Sequence, residues 1–153
     1  MIEHIKIKFK RINSAFNDIQ LPMYSTPASS GMDIRAAIDK EVVILPNQVA
    51  LVPTNLSVEI PEGFEIQVRP RSGLAANHSI GVLNSPGTID ADYRGEIKII
   101  LINFGKDDFI ISRGERIAQL VVSKIYHADF IEVNELKNTD RGEGGFGHTG
   151  RLP

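Results

Sequence analysis

The chain has no cysteine among its 153 residues. Disulfide bonds, thiolate metal sites and cysteine nucleophiles are therefore excluded. Its histidines show no metal-ligand spacing, which argues against a histidine-based zinc site. These histidines are His4, His78, His127 and His148.

Long apolar runs are also missing. No stretch approaches the roughly 20 apolar residues of a membrane-spanning helix. The N-terminal sequence MIEHIKIKFKRINSAF alternates apolar with charged residues, whereas a signal peptide has a continuous apolar segment. The formal net charge of −2 gives no broad attraction to nucleic acid. We expect a cytoplasmic or organellar-matrix protein without a membrane or nucleic-acid partner.

The composition, 42% hydrophobic and 24% charged, is typical of one globular domain. Apolar and polar residues alternate in stretches such as FEIQV, residues 64–68, with the period of half-buried strands. Turn-forming triplets at 61–63 and 104–106 are two of the breaks that recur roughly every 8 to 12 residues. The pattern predicts an all-β antiparallel sandwich or barrel with one short helix near Ser72–Asn77.

The segment EIKIILINF, residues 96–104, departs from this alternation because residues 99–102 are all apolar. A strand covered on both faces explains such a run, and in a two-layer sandwich the second cover would be another subunit. A strand that crosses between the two sheets of one sandwich explains the run equally well. The sequence leaves both explanations open.

The segment PRSGLA, residues 70–75, places Arg71, Ser72 and Gly73 at the start of the predicted helix. A guanidinium, a hydroxyl and main-chain N–H groups at a helix start together favour a phosphate. A Ser-Gly pair before a helix is also a common simple cap. Taken alone, the segment is only a weak indication of a phosphate site.

The segment NSPGTIDADYRGE, residues 84–96, has turn residues on both sides of Thr88-Ile89-Asp90 and predicts a β-hairpin. An ordinary polar hairpin tip is one interpretation. The close spacing of an amide, a carboxylate and a phenol favours another, in which exposed main-chain groups read the edge of a flat heterocycle. Asp90 is then a candidate general base.

The segment RGERIAQ, residues 113–119, leads through a glycine turn into an apolar strand. A turn before a buried strand accounts for most of this segment. Arg116 and Gln119 are nevertheless unusual neighbours for such a strand.

The C-terminal segment RGEGGFGHTG, residues 141–150, is rich in glycine and too poor in apolar side chains to form part of a core. A disordered end is one interpretation. The other is a mobile flap that becomes ordered when Arg141 meets a phosphate and Phe146 lies over a base. We accordingly divide the chain into a β domain at 1–137 and a glycine-rich flap at 138–153.

In order and spacing, the chain resembles the five motifs of the trimeric deoxyuridine triphosphate nucleotidohydrolases, the dUTPases. The resemblance rests on the segments ASSGMDIRAA, PRSGLA, NSPGTIDADYRGE, RGERIAQ and RGEGGFGHTG, and it runs from about Met1 to Arg151. It implies a distorted jelly-roll or β-clip-type barrel, a homotrimer with three active sites that are each assembled from all three subunits, and Mg²⁺-dependent hydrolysis of dUTP to dUMP and pyrophosphate. Such an activity would limit uracil incorporation into DNA and supply dUMP for thymidylate synthesis.

The resemblance also implies residue roles around the base and sugar. Asp90 matches the carboxylate that orients and activates the attacking water, and Tyr93 matches the ring that packs under the sugar and excludes a 2′-hydroxyl. Asp90 is preferred to Asp92 because it is the acid at the tip that precedes this ring. The remaining matches to the uracil and deoxyribose pocket are Asn84, Thr88, Ile89 and Lys98, the last through its main chain.

For the phosphates and the metal, the resemblance implies a second set of residues. The phosphate-binding positions match Arg71, Ser72, Gly73 and Gln119. Asp33 looks like the acid that lies near the metal and the subunit boundary, where it would contact Mg²⁺ through water while the substrate phosphates hold most of the ion. In the tail, the matches are Arg141 at the γ-phosphate, Phe146 over the uracil, and His148 and Thr149 beside them. Because many relatives have serine in place of His148, that tail contact is left open.

Two other functions have less support in the sequence. A dCTP deaminase shares the fold, but its chemistry needs a glutamate at C4 of cytosine, and this chain has Thr-Ile-Asp in the hairpin. A catalytically silent trimeric binding module has no physical need of a general base and a phosphate clamp at once. The combination of Asp90, Tyr93, Gln119 and Arg141 therefore favours the enzyme.

Overall fold

Alternating apolar residues turn one face of each strand toward the interior. In the strand Phe64–Arg69, Ile66 and Val68 are 2% and 5% exposed, while Gln67 between them is half-buried on the opposite face. The structure, a computed structural model, describes residues 4–145. Within that range all strand pairings are antiparallel, so the predicted all-β fold is confirmed.

The described residues form eleven strands, one α-helix and one 3-10 helix. In chain order they are β1 (Lys8–Arg11), the 3-10 helix (Ser14–Phe16), β2 (Met32–Arg35), β3 (Val42–Ile44), β4 (Val49–Pro53), β5 (Leu56–Glu59), β6 (Phe64–Arg69), α1 (Ser72–His78), β7 (Ile80–Val82), β8 (Gly87–Ile89), β9 (Lys98–Asn103), β10 (Phe109–Ile111) and β11 (Arg116–Lys124). No helix among residues 4–145 is both long enough and apolar enough to span a membrane.

The strands form four hydrogen-bonded sheets, and no single closed barrel joins them in the described chain. The largest sheet has the order β2-β11-β6-β8, and a second has the order β4-β9-β7. Two smaller sheets pair β1 with β5 and β3 with β10. The buried faces meet in one hydrophobic cluster that includes Ile66 and Leu120 of the largest sheet and Ile99 and Leu101 of the second. Burial of each such side chain stabilises the fold by about 1.5–3 kcal/mol.

The apolar run of residues 99–102 lies in β9, where alternation persists. Ile99 and Leu101 face the core, whereas Ile100 and Ile102 are half-buried on the opposite face. Because β9 stays between β4 and β7, the predicted alternative of a strand crossing between sheets does not occur. The outer face of this sheet remains apolar and accessible in the single chain.

The short helix agrees with the sequence, but the hairpin does not. The helix was expected at Ser72–Asn77 and runs one residue further, to His78, before Ser79 ends it in the left-handed conformation with φ 57°. The hairpin prediction for residues 84–96 is wrong as a strand pairing, because β8 pairs with β6 while β9 pairs with β4 and β7.

One buried amide fixes the loop after β9. Asn103 is 0% exposed, and its Nδ2 donates to the carbonyl oxygens of Ile44 and Asp107, both at 2.8 Å. Its Oδ1 accepts from the main-chain N–H of Gly105 at 2.8 Å. A buried polar side chain is tolerated here because its hydrogen bonds are made.

We predict that Asn103→Ala lowers the free energy of unfolding by about 3 kcal/mol, since it leaves three main-chain groups without their partners. Urea unfolding monitored by circular dichroism measures this loss. The exposed Asn134 provides the control, because Asn134→Ala removes no such contact. A loss for Asn103→Ala no larger than that of the control would contradict the account.

Candidate active site

A pocket of about 410 Å³ opens between the segment that follows β8 and the outer face of the β4-β9-β7 sheet. It brings together six residues that the sequence predicts for a base and sugar site, namely Asn84, Thr88, Ile89, Asp90, Tyr93 and Lys98. The other lining residues are Leu51, Val68, Gly87, Glu96, Ile97 and Ile100. The pocket is therefore lined by apolar side chains together with two carboxylates, an ammonium group, a phenol, an amide and a hydroxyl.

Close main-chain packing holds β8 at one side of this pocket. A side chain on Gly87 would place its Cβ 3.2 Å from Cβ of Val68 and 3.1 Å from Nδ2 of Asn84. Glycine thus lets β8 approach β6 closely enough to pair, with Thr88 opposite Gln67. Beyond β8 the chain crosses to the β4-β9-β7 sheet, and just before β9 the N–H of Ile97 donates to the carbonyl of Leu56 on β5 at 2.8 Å.

Tyr93 lies in a tight turn within this crossing. Its main-chain N–H donates to the carbonyl of Asp90 at 3.2 Å, and its hydroxyl donates to the carbonyl of Glu96 at 2.9 Å. A Cβ on Gly95 would lie 2.6 Å from Cζ of the ring. The ring of Tyr93 therefore packs over Gly95, and its orientation is fixed by the main-chain hydrogen bond to Asp90 and by the hydroxyl hydrogen bond to Glu96.

Asp90 directly follows β8, and its exposed side chain lies at the wall of the pocket. Asp92, the neighbouring acid, does not line the pocket. The geometry thus agrees with the choice of Asp90 over Asp92. An exposed carboxylate at the edge of a pocket can accept a hydrogen bond from a water molecule beside a bound ligand.

A second polar cluster forms around Asp33 on β2. Its Oδ1 accepts from Nε of Arg71 at 3.0 Å and from Nε2 of Gln119 at 3.4 Å, and its Oδ2 accepts from Nη1 of Arg116 at 3.0 Å. The carboxylate is only 12% exposed. One carboxylate against two guanidinium groups leaves an excess positive charge, which favours an anion.

A β-bulge makes this cluster possible. In a regular strand, residues three apart point to opposite faces. In β11 the register against β2 shifts between Arg116 and Ala118, and Ile117 and Ala118 are both buried. The extra residue turns Arg116 and Gln119 to the same face, so both reach Asp33.

Arg113, the first arginine of RGERIAQ, does not contact Asp33 and instead ties the segment 15–18 to the fold. Arg113 makes two hydrogen bonds to Asp18, donates to the carbonyl of Ala15 at 2.7 Å and stacks 4.5 Å from the ring centre of Phe16. The side-chain hydrogen bond from Arg113 holds the pKa of Asp18 below its usual range. Because that pKa is lowered in the folded state, this contribution to stability is lost as the pH falls through it.

The start of α1 presents Ser72 and Gly73 next to the Asp33 cluster. Arg71 is the N-cap residue, and no side chain caps the helix by a hydrogen bond. The simple-cap interpretation of the Ser-Gly pair is therefore not what occurs. Both residues are exposed, and beyond the adjoining residues and the helix backbone no described atom lies within 4 Å of a Cβ placed on Gly73.

The predicted site residues fall into two groups in the described chain. None of Asp33, Arg71, Ser72, Gly73 and Gln119 lines the pocket of Asp90 and Tyr93. In the tail, Arg141 is exposed, and its Nε donates to the carbonyl of Gly144 at 2.7 Å. The other predicted tail residues, Phe146, His148 and Thr149, lie outside the described residues.

Sequence reasoning missed several residues that build the two groups. Leu51 lines the pocket from β4, far away in the chain, and no local pattern marks it. Glu96 also lines the pocket. The contact between Asp33 and Arg116 depends on the bulge, whose one visible signal is the apolar pair Ile117-Ala118 beside polar residues.

Within residues 4–145, no group of three or more His, Asp or Glu side chains could hold a metal ion. Both oxygens of Asp33 already accept hydrogen bonds from arginine. These contacts favour a role for Asp33 in orienting the two arginines. Its water-mediated contact with a metal stays a prediction.

Comparison with known proteins identifies the chain. The sequence model of the dUTPase family matches residues 17–150. The chain belongs to the dUTPase family. It is a hydrolase of nucleotide metabolism, a dUTP diphosphatase, and the predicted family and activity on dUTP are confirmed.

Similar sequences carry the name deoxyuridine 5′-triphosphate nucleotidohydrolase. The protein from Chlamydia pneumoniae is 59% identical over 86% of this chain and 91% of its own length. The protein from Syntrophotalea carbinolica is 53% identical over 95% of this chain and 97% of its own length. The protein from Anaplasma marginale is 50% identical over 95% of this chain and 99% of its own length.

Similar folds are found among solved structures. The dUTPase of Staphylococcus bacteriophage 80alpha, solved with dUpNHpp, has a TM-score of 0.82 and 26% identity over 95% of this chain and 98% of its own. A mutant dUTPase from phage phi11 of S. aureus, described with a structural Mg(II) ion, has a TM-score of 0.74 and 21% identity over 87% of this chain and 99% of its own. The jelly-roll-type fold is thereby confirmed.

We predict that Asp33→Asn lowers kcat/KM for dUTP on the order of 10- to 100-fold, because Arg71 and Arg116 lose the charged acceptor that orients them. Steady-state pyrophosphate release measures the effect. Asp39→Asn is the matched control, since that carboxylate is 81% exposed and lies 3.5 Å from Arg113. Equal kinetics for the two variants would show that the cluster has no role in turnover.

Proposed function

We propose that this chain hydrolyses dUTP by attack of a water molecule on the α-phosphorus, with Asp90 as general base. The oxygen that bridges the α- and β-phosphates leaves with pyrophosphate, and dUMP remains. The observation that carries the proposal is the position of the exposed Asp90 carboxylate at the edge of a pocket of about 410 Å³ that also contains Tyr93. A carboxylate in this position can orient the water and accept its proton.

The pocket supports recognition of uracil and deoxyribose. Asn84, Thr88, Ile89 and Lys98 supply main-chain and side-chain polar groups along its walls. The tight pairing of β8 with β6 makes this wall rigid. A pocket that merely fits uracil would disfavour the extra methyl group of thymine by roughly 1–3 kcal/mol, and a rigid wall can disfavour it by more. Fixed main-chain donors and acceptors disfavour cytosine.

Tyr93 is the proposed sugar gate. Its ring is held over Gly95 by the hydrogen bond from its hydroxyl to Glu96. A ring that cannot move aside leaves no room for a 2′-hydroxyl, so ribonucleotides are rejected.

The Asp33 cluster is the proposed phosphate site. Arg71 and Gln119 donate to Asp33, so the arginine is preoriented by the carboxylate, and Ser72 and Gly73 follow Arg71 at the start of α1. Preorganised donors stabilise developing charge without rearranging during the reaction. We include Arg116 in this group because it shares the same carboxylate.

The residues present fit a Mg²⁺ ion that is held mainly by the substrate phosphates. No described acidic cluster could hold the ion alone, and Mg²⁺ typically keeps several waters and binds through phosphates. Asp33 would contact it through water, and when bound the ion would supply positive charge to the phosphate oxygens. The structural Mg(II) ion described for the phage phi11 enzyme is consistent with a metal in this fold.

A homotrimer with shared active sites is the proposed assembly. Among residues 4–145 of the single chain, the pocket of Asp90 and the Asp33 cluster share no residue. The outer face of the β4-β9-β7 sheet exposes Val49 and Leu51, at 47% and 59%. A second apolar surface lies on the extended arm after β11, whose large side chains are 82–98% exposed at Tyr126, Phe130, Ile131 and Leu136. Large apolar side chains exposed in this number favour contact with other subunits.

The tail is the proposed flap, and the β domain ends before it, at residue 137. Because the segment is rich in glycine, its main chain loses much conformational entropy when the flap closes, and contacts with the substrate must offset this loss. Arg141 would bind the γ-phosphate and Phe146 would cover the uracil, with His148 and Thr149 beside them. Closure would exclude water and complete the phosphate clamp. In a cytoplasmic setting, the reaction would keep uracil out of DNA and supply dUMP for thymidylate synthesis.

Asp90→Asn should lower kcat on the order of 10²-fold or more while binding of dUTP analogues is largely kept, because only the proton acceptor is lost. Pyrophosphate release gives kcat, and calorimetric titration with a non-hydrolysable analogue gives the affinity. Asp92→Asn is the matched control, since this acid lies two residues away and outside the pocket. Near-normal turnover by Asp90→Asn would remove Asp90 from the role.

Deletion of residues 141–153 should nearly abolish hydrolysis while folding and the trimer persist, because the flap acts only on bound substrate. Thermal unfolding, analytical ultracentrifugation and the same activity assay check the three parts of this expectation. Unfolding of the truncated protein would make the tail a structural element. Full activity without the tail would exclude the flap.

A further inference from the structure

The ring of Tyr93 depends on the main chain of Glu96 for its position. The hydroxyl donates to the carbonyl of Glu96 at 2.9 Å, and Gly95 leaves the space that the ring fills. The sugar gate is therefore only as rigid as the main chain at Gly95 and Glu96.

The side chain of Glu96 is itself anchored. Its Oε1 accepts from the main-chain N–H of Asn55 at 2.9 Å, and its Oε2 lies 3.7 Å from Nζ of Lys98. The carboxylate is 23% exposed, and Asn55 is buried in the left-handed conformation with φ 61°. The left-handed conformation is unfavourable for a residue other than glycine and persists where surrounding contacts hold it, so the main chain at Asn55 is a firm point of attachment.

The neighbours of Glu96 are attached to the same turn. The hydroxyl of Thr54 donates to the carbonyl of Ile97 at 2.6 Å, and the hydroxyl of Ser57 donates to the carbonyl of Arg94 at 2.8 Å. At Glu96 the attachment to this turn runs through the side-chain carboxylate, because the carbonyl of Glu96 accepts from Tyr93. Removal of the carboxylate deletes the attachment at Glu96 itself, while those at Arg94 and Ile97 remain.

We infer that Glu96 is a positioning residue that holds Tyr93 against the sugar and so contributes to the selection of deoxyribonucleotides over ribonucleotides. The inference rests on the proposed role of Tyr93 as sugar gate. Glu96 needs no contact with the substrate to act in this way, because its carboxylate binds the turn and its carbonyl binds the phenol.

The test compares Glu96→Ala with Glu96→Gln. Glutamine keeps an oxygen that can accept from the N–H of Asn55, whereas alanine leaves that buried N–H without its acceptor. Glu59→Ala is the control, because its carboxylate is 51% exposed and pairs with Lys8 away from the pocket. For each variant, kcat and KM are measured with dUTP and with UTP.

We expect Glu96→Ala to lower the ratio of kcat/KM for dUTP to kcat/KM for UTP by about three- to tenfold, the range for loss of one hydrogen bond. Glu96→Gln should keep most of the ratio, and Glu59→Ala should keep all of it. A purely structural role would lower both kcat/KM values alike and leave the ratio unchanged, which would overturn the inference.

Two further variants separate this inference from the proposed function. If Tyr93→Ala leaves the ratio unchanged, the sugar gate itself fails. If Tyr93→Ala lowers the ratio and Glu96→Ala does not, the gate stands and the role of Glu96 is refuted. In a double-mutant cycle with Tyr93→Phe, the effect of Glu96→Ala on the ratio should largely disappear, because the hydroxyl through which it acts is gone. Additive effects would contradict the inference.

Folding of the variants is checked by thermal unfolding. Glu96→Asp retracts the carboxylate by one methylene and serves in place of alanine if the alanine variant does not fold. For Glu96→Asp, the ratio of kcat/KM for dUTP to kcat/KM for UTP should also fall, and an unchanged ratio would contradict the inference.

Discussion

The separation of β8 and β9 into different sheets is the constraint on which the active site depends. β8 is hydrogen-bonded to β6, and β9 lies between β4 and β7. The short segment 90–97 must therefore cross between two rigid sheets, and it leaves a pocket beside its path. Main-chain hydrogen bonds at both ends fix the crossing, so the carboxylate of Asp90 and the ring of Tyr93 are presented by a scaffold that does not need to rearrange.

A second constraint shapes the cluster around Asp33, which is the proposed phosphate site. The bulge in β11 turns Arg116 and Gln119 to one face, where Asp33 joins them to Arg71. This cluster and the base pocket share no residue within residues 4–145. Under the proposed function a triphosphate reaches from the pocket to this cluster, and the proposed homotrimer would combine the two across subunits. The apolar outer sheet face and the exposed arm after β11 supply surfaces for such an assembly.

Local signals in the sequence predicted what is local in the structure. Alternation at 64–68 predicted β6, and the Ser-Gly entry predicted α1 to within one residue, because strand period and helix entry are properties of a few neighbouring residues. Partners distant in sequence carry no such signal. The pairing of β8 with β6, in place of a hairpin, could not be read from residues 84–96, and neither could Leu51 in the pocket wall. The motifs named most residues of the two groups, Asp33 included, whereas the contacts of Asp33 with Arg71 and Arg116 and the position of Glu96 emerged only from the structure.

The most direct measurement is a crystal structure of the full chain with Mg²⁺ and a non-hydrolysable dUTP analogue. The account predicts uracil in the pocket lined by Thr88 and Ile89, the deoxyribose on the ring of Tyr93, and a water molecule held by Asp90 in line with the α-phosphorus. A uracil bound elsewhere, or an Asp90 carboxylate turned away from that water, would contradict it.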